Sequence, residues 1–112
     1  MSKAKGTRAE AEVVAEMRER GWSAWRLLPT TNDRDDDIVG SGIADVVALK
    51  AGSRPRLIEV KATSRGPFAG FTPARRKRML EVADAADADA ILAWKIPYKG
   101  IRYLPPAAWP KR

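Results

Sequence analysis

Two apolar runs, Ile43 to Leu49 and Arg56 to Ala62, flank a turn at Ala51, Gly52 and Ser53, and no other stretch of the chain restricts the fold as strongly. Runs of this length, rich in Val, Ile and Leu and separated by a short polar interval, read as the two strands of a hairpin. Folding the hairpin symmetrically about Gly52 sets Asp45 opposite Glu59, each seven residues from the centre. Directly opposed residues carry their Cβ atoms about 4.5 to 5.5 Å apart on one face. A register slipped by one residue would send the two carboxylates to opposite faces. Lys61 follows Glu59 by two residues and shares its face, while Ile58 and Val60 take the other. The strand is expected to be anchored by burial on one side and to carry Asp, Glu and Lys together on the other.

Around this hairpin the remaining elements fall into place. Thr7 followed by Glu10 is a capping-box signature for a helix of about thirteen residues, with Val13, Val14 and Met17 on its buried face and Gly21 as its stop. Ser23 to Leu28 reads as a first strand, and Pro29 to Gly42 as a polar loop. Its Asp33, Asp35, Asp36 and Asp37 are read as solvated, with a second metal site as the alternative. Thr72 and Pro73 supply an N-cap and first position for a helix running to about Asp87. Ala90 to Ile96 and Ile101 to Leu104 read as a second pair of strands, and the proline-rich tail from Pro105 as irregular. The 112 residues suffice for one compact domain, and the element order specifies an α/β domain with a mixed sheet.

The chain contains neither cysteine nor histidine. That excludes disulfides, thiol nucleophiles, the usual zinc ligand sets and every imidazole base, leaving carboxylates, Lys, hydroxyls and a hard metal. A net charge of +7 points to a polyanion rather than a small-molecule substrate, because Lys and Arg gain affinity by displacing counterions from phosphates. No apolar run approaches the roughly 20 residues needed to span a bilayer, and no secretory signal is recognised. The expected place is the cytoplasm, in association with DNA, or the host cytoplasm for a viral protein.

Opposed carboxylates suit joint coordination of Mg²⁺, with Mn²⁺ as the alternative, and an adjacent Lys suits charge relief during phosphodiester cleavage. Glu10 extends the buried stripe of the first helix, and a carboxylate there calls for a metal or a basic side chain beneath it, unless its role is only to complete the capping box with Thr7. Lys3, Lys5 and Arg8 form a basic arm suited to phosphate. Arg75, Arg76, Lys77 and Arg78 are divided between phosphate contact and a solvated helix face. Trp22, Trp25 and Trp94 are read as core, whereas Phe68 and Phe71, flanking a loop glycine, are read as a subunit contact or a wedge at a junction. The bland reading of Glu59 and Lys61 is an exposed ion pair.

Five pieces occur in order: Lys5-Gly6 with Glu10, Gly21-Trp22-Ser23-Ala24-Trp25-Arg26, Ala44-Asp45-Val46-Val47-Ala48, Leu57-Ile58-Glu59-Val60-Lys61, and Ile91-Leu92-Ala93-Trp94-Lys95. Together they resemble the archaeal-type Holliday junction resolvases, within the restriction-endonuclease-like nuclease superfamily. The resemblance implies a central mixed five-stranded sheet flanked by helices, and a homodimeric, Mg²⁺-dependent enzyme that recognises four-way DNA junctions and nicks two opposed strands. It assigns metal binding to Glu10, Asp45 and Glu59, catalytic support to Lys61, and DNA contact to Arg26. Ala11 stands where the family commonly has Arg, and Val82 and Ala86 where it often packs aromatics into its dimer interface. The rival readings are a nuclease of the same superfamily acting on flaps, nicks or duplex ends, and a catalytically silent DNA-binding module.

Overall fold

The computed structural model describes residues 3–27 and 44–111, with side chains from Gly6 onward. Helix α1 (Lys3–Glu19) is followed by strands β1 (Ser23–Arg26), β2 (Val46–Leu49) and β3 (Arg56–Ala62). Helix α2 (Pro73–Ala85), strands β4 (Asp89–Lys95) and β5 (Ile101–Leu104), and a 3₁₀ turn at Pro106–Ala108 complete the chain. The sheet has five strands in the order β1-β2-β3-β4-β5. β3 and β4 run parallel and every other neighbouring pair antiparallel, which gives the mixed α/β sheet anticipated above. The loop 29–42, with Asp33 to Asp37, and the first strand's expected end at Leu28 lie outside the described residues.

The hairpin register is the symmetric one. Val46 pairs with Ile58, Val47 with Leu57 and Ala48 with Arg56, so the line that sets Asp45 against Glu59 continues from observed pairs. The turn between them needs Gly52, whose φ of +81° is open to glycine at little cost.

Each face of the sheet carries one helix. Ala9, Val13, Val14 and Met17 of α1 pack on Val46, Ala48, Ile58, Val60 and Ala93. On the opposite face Met79 and Ala83 of α2 meet Ala90 and Leu92, with Phe71, Trp109 and the half-buried Leu57. The parallel pair β3–β4 is thereby covered on both sides, as such strands require. The face of β3 expected to carry Asp, Glu and Lys is covered as well: Ile58, Glu59 and Val60 are buried in succession.

Three further readings change. The first helix begins at Lys3 rather than at Thr7, so Thr7 and Glu10 lie within it and form no capping box at its start; Lys and Ala are good helix formers, and Gly6 alone opposes the extension. Its end is as expected, with the Trp22 N–H donating to Met17 O, the Gly21 N–H to Arg18 O, and Gly21 at φ +91°. Trp22 and the half-buried Trp94 pack inside, but Trp25 is 48% exposed because it lies on the edge strand β1. Phe71 is no surface wedge: it is 1% exposed and meets Trp109 edge-on at 5.0 Å between ring centroids. The tail from Pro105 is irregular apart from the 3₁₀ turn, as expected, and is fixed on the core because Trp109 is buried and its indole N–H donates to Leu104 O at 2.9 Å. On α2, Met79 and Ala83 turn toward the chain's own sheet, Val82 is half-buried and Ala86 is exposed. Among the described residues no helix is long and apolar enough to cross a membrane.

Trp109→Ala is expected to cost about 3 kcal/mol, since it empties the space beside Phe71 and orphans the Leu104 carbonyl. Urea unfolding measures this directly; a loss below about 0.5 kcal/mol would mean that the tail does not close the second core.

Candidate active site

The chemistry-bearing side chains gather where β3 runs past the start of β2, at the carboxyl end of the parallel pair and beside the first turn of α2. Asp45 lies immediately before β2 and is held from three directions. Its N–H donates to Ile58 O at 2.9 Å, its carbonyl accepts from the Leu27 N–H at 2.8 Å, and its Oδ2 accepts from the Val60 N–H at 2.8 Å. The carboxylate thus takes the place of a strand partner for β3 where the β2 ladder has ended. It is a structural part of the sheet as well as a charge.

Glu59 is 3% exposed on the α2 side of β3. A buried carboxylate without a cation costs several kcal/mol, and here both oxygens are served. Arg75 Nη2 donates to Oε1 at 2.9 Å, and Lys61 Nζ lies 3.4 Å from Oε2. Lys61 has a second acceptor in Gly70 O at 3.5 Å. A Cβ on Gly70 would lie 3.6 Å from this ammonium, and the residue's φ of +79° is one that L side chains rarely adopt, so the loop before α2 favours glycine there. Arg75 is placed by the N-cap expected from the sequence, since Thr72 Oγ1 accepts from the Arg75 N–H.

Glu10 has the basic partner that its position demanded. Arg26 Nε donates to Glu10 Oε1 at 3.0 Å, across from α1 to the end of β1. Burial first, and then the charge of Glu59, push the Asp45 carboxyl up to about 6; Glu10 acts in the same direction, and the Val60 N–H and Lys61 oppose. Three carboxylates and one lysine therefore share a single electrostatic neighbourhood.

Of the other sequence-derived residues, Arg8 is exposed on α1, and the side chains of Lys3 and Lys5 lie outside the described part. Arg75 and Arg76 were grouped with Lys77 and Arg78 as one basic cluster, but the helix divides them. Arg75 turns to Glu59, Arg76 is buried and donates to the Phe71 carbonyl, and Lys77 and Arg78 face solvent. The Arg75–Glu59 pair is the feature that the residue pattern did not reveal. Thr72 and Pro73 locate the start of α2, but not what that turn packs against.

The donor set suits a hard divalent cation. It consists of carboxylate oxygens without nitrogen or sulfur ligands, and mutual repulsion among Glu10, Asp45 and Glu59 is what a bound cation relieves. In the arrangement seen, no three acidic side chains among the described residues converge on one point. Arg26 and Arg75 occupy two of the carboxylates instead.

The model of one protein family, the archaeal Holliday junction resolvase (Hjc), matches this chain over residues 1–112. The chain belongs to that family. Its class is accordingly that of a junction-resolving nuclease, as the resemblance carried by the five sequence pieces had implied. The 1.6 Å structure of Archaeoglobus fulgidus Hjc, a Holliday junction resolvase from an archaeal hyperthermophile, is similar with a TM-score of 0.66 and 24% identity, covering 88% of this chain and 73% of that one. At that identity the likeness bears on the fold, which is restriction-endonuclease-like. No curated protein matches this chain by sequence.

The raised Asp45 group makes metal-free stability pH-dependent. Its carboxyl holds a proton in the folded protein between about 4 and about 6, where the unfolded chain has released it from its ordinary value of 3.8. Its contribution therefore falls as pH rises through that window. Asp45→Asn removes the charge and keeps an acceptor for Val60. In EDTA it is expected to be more stable than the wild type at pH 7 by about 1 to 2 kcal/mol, with the difference shrinking toward pH 4. Thermal unfolding at both pH values decides; a variant equal to or weaker than wild type at pH 7 would show that Asp45 is not under electrostatic strain.

Proposed function

We propose that this chain resolves four-way DNA junctions by Mg²⁺-dependent phosphodiester hydrolysis, nicking two opposed strands, with Glu10, Asp45 and Glu59 as the metal ligands and Lys61 as the catalytic cation. The observation that carries the reading is the surroundings of Asp45, whose carboxyl is raised to about 6 by burial first and then by the charges of Glu59 and Glu10, with Lys61 beside Glu59 on β3. A divalent ion bound there would lower the pKa of a coordinated water and neutralise charge developing on the phosphate.

The protein's own groups do the rest. The Val60 N–H holds Asp45 in a fixed orientation, so little rearrangement is needed as charge develops. Lys61, resting between Glu59 and Gly70 O, keeps a cation beside the reacting phosphate and the attacking water. Arg8, Lys77 and Arg78, exposed on two helices, together with Lys3 and Lys5 at the chain's start, supply phosphate contacts that carry no sequence information but position the DNA. Arg26, paired with Glu10, lies at the same end of the sheet and can take a phosphate oxygen when DNA replaces that carboxylate.

Two opposed nicks require two such sites, which a homodimer of this single nuclease domain provides. The reading also includes branched DNA as the partner, Mg²⁺ with Mn²⁺ able to replace it, and a cytoplasmic, DNA-associated place of action.

The test is cleavage of a labelled four-way junction beside matched duplex, flap and nicked DNA, with Mg²⁺ and with EDTA. Symmetric nicks in the junction alone, lost in EDTA, are expected. Asp45→Asn should reduce cleavage at least about a hundredfold while junction binding persists. Cutting of flaps or duplex ends in preference to the junction would move the activity elsewhere in the superfamily, and tight binding without any cutting would leave a silent module.

A further inference from the structure

The metal ligands proposed above are not free to bind a metal as they stand. Glu59 has Arg75 on one carboxylate oxygen and Lys61 on the other. An ion entering the site must take at least one of these oxygens from its cation, and the two cations differ in how firmly they are held.

Lys61 lies on the same strand as Glu59, only 20% of its side chain is exposed, and Gly70 O gives its ammonium a second acceptor. Arg75 is less well satisfied. Its Nη2 is bonded to Glu59, but its Nε is buried and has no acceptor. A buried donor left unmade carries a desolvation cost that a more exposed conformation removes. Arg75 also stands in the first turn of α2, where the unsatisfied backbone N–H groups make the helix end positive and a guanidinium is disfavoured unless an anion accompanies it. Its side chain is 36% exposed, so a path to solvent exists.

Resting on the assignment of Glu59 as a metal ligand, we infer that Arg75 is the site's internal stand-in for the metal: it neutralises buried Glu59 in the metal-free protein and must leave that carboxylate for the ion to bind. Arg75 is thus a positioning residue that sets how much divalent ion is needed to load the site. The pair accounts for how a carboxylate at 3% exposure has both of its oxygens met by cations of the chain itself.

Mn²⁺ binding to the whole protein, followed by electron paramagnetic resonance without DNA, tests this in wild type, Arg75→Met and Asp45→Asn. Removing a competing charge a few ångströms from a ligand is expected to tighten Mn²⁺ binding roughly tenfold in Arg75→Met. The same variant should melt below wild type in EDTA and recover most of the difference when Mn²⁺ is added. Unchanged or weaker Mn²⁺ binding in Arg75→Met, with binding lost in Asp45→Asn, would overturn the role of Arg75 and leave the metal site standing. Unchanged binding in Asp45→Asn would instead remove the metal assignment itself. Should Arg75→Met fail to fold, Arg75→Lys keeps a positive charge without the guanidinium fork. It is then expected to bind Mn²⁺ more tightly than wild type, and equal or weaker binding overturns the proposal.

Discussion

A carboxylate buried in the middle of a sheet has to be neutralised, and the arrangement of this protein around β3 answers that need at Glu59. One cation comes from the same strand two residues later, where alternation returns the side chain to the same face. The other comes from α2, and it reaches Glu59 only because Met79 and Ala83 dock that helix on the sheet with its first turn over the end of β3. Core packing and site electrostatics are therefore one problem. The contacts that bury the apolar side of α2 also deliver the guanidinium that permits a buried glutamate.

Asp45 shows the same economy at the backbone. The β2–β3 ladder closes at the Val46–Ile58 pair, and the aspartate carboxylate accepts from the Val60 N–H, two residues further along β3, which would otherwise face an empty ladder position. A side chain tied into the sheet in this way has little freedom, which suits the role proposed for Asp45 toward a metal and a phosphate. The cost is visible in its pKa, raised by burial and by the other two carboxylates. Perturbed groups in a shared neighbourhood are characteristic of functional sites, and in a member of the archaeal Holliday junction resolvase family they lie where phosphodiester chemistry is expected.

Much of this was readable from local pattern. The hairpin register followed from a turn glycine and from the period-2 alternation of flanking apolar residues, because a slip of one would have moved every buried side chain to the wrong face. Thr72 and Pro73 marked the start of α2 through a capping interaction that lies within four residues. Gly21 marked the end of α1 through a left-handed φ. What local pattern misjudged were residues whose fate depends on distant partners. Phe71 looked like a loop aromatic and Trp109 like part of an irregular tail with no role in the core, yet each packs on the other. Trp25 had the alternation of a core residue but belongs to the edge strand, where one side has no neighbour to cover it.

By itself the sequence determined the side-chain chemistry available: carboxylates, lysine and hydroxyls, with neither thiol nor imidazole, in a basic chain suited to a polyanion. It also determined which residues share a strand face, since side-chain alternation is a property of the backbone. Only the tertiary structure decided which cations meet which carboxylates. Arg26 reaches Glu10 and Arg75 reaches Glu59 across sixteen residues in each case, and Arg76, next in sequence to Arg75, is turned into the core. Those pairings depend on how two helices dock on opposite faces of one sheet, and that is governed by the summed burial of many apolar side chains rather than by the charged residues themselves.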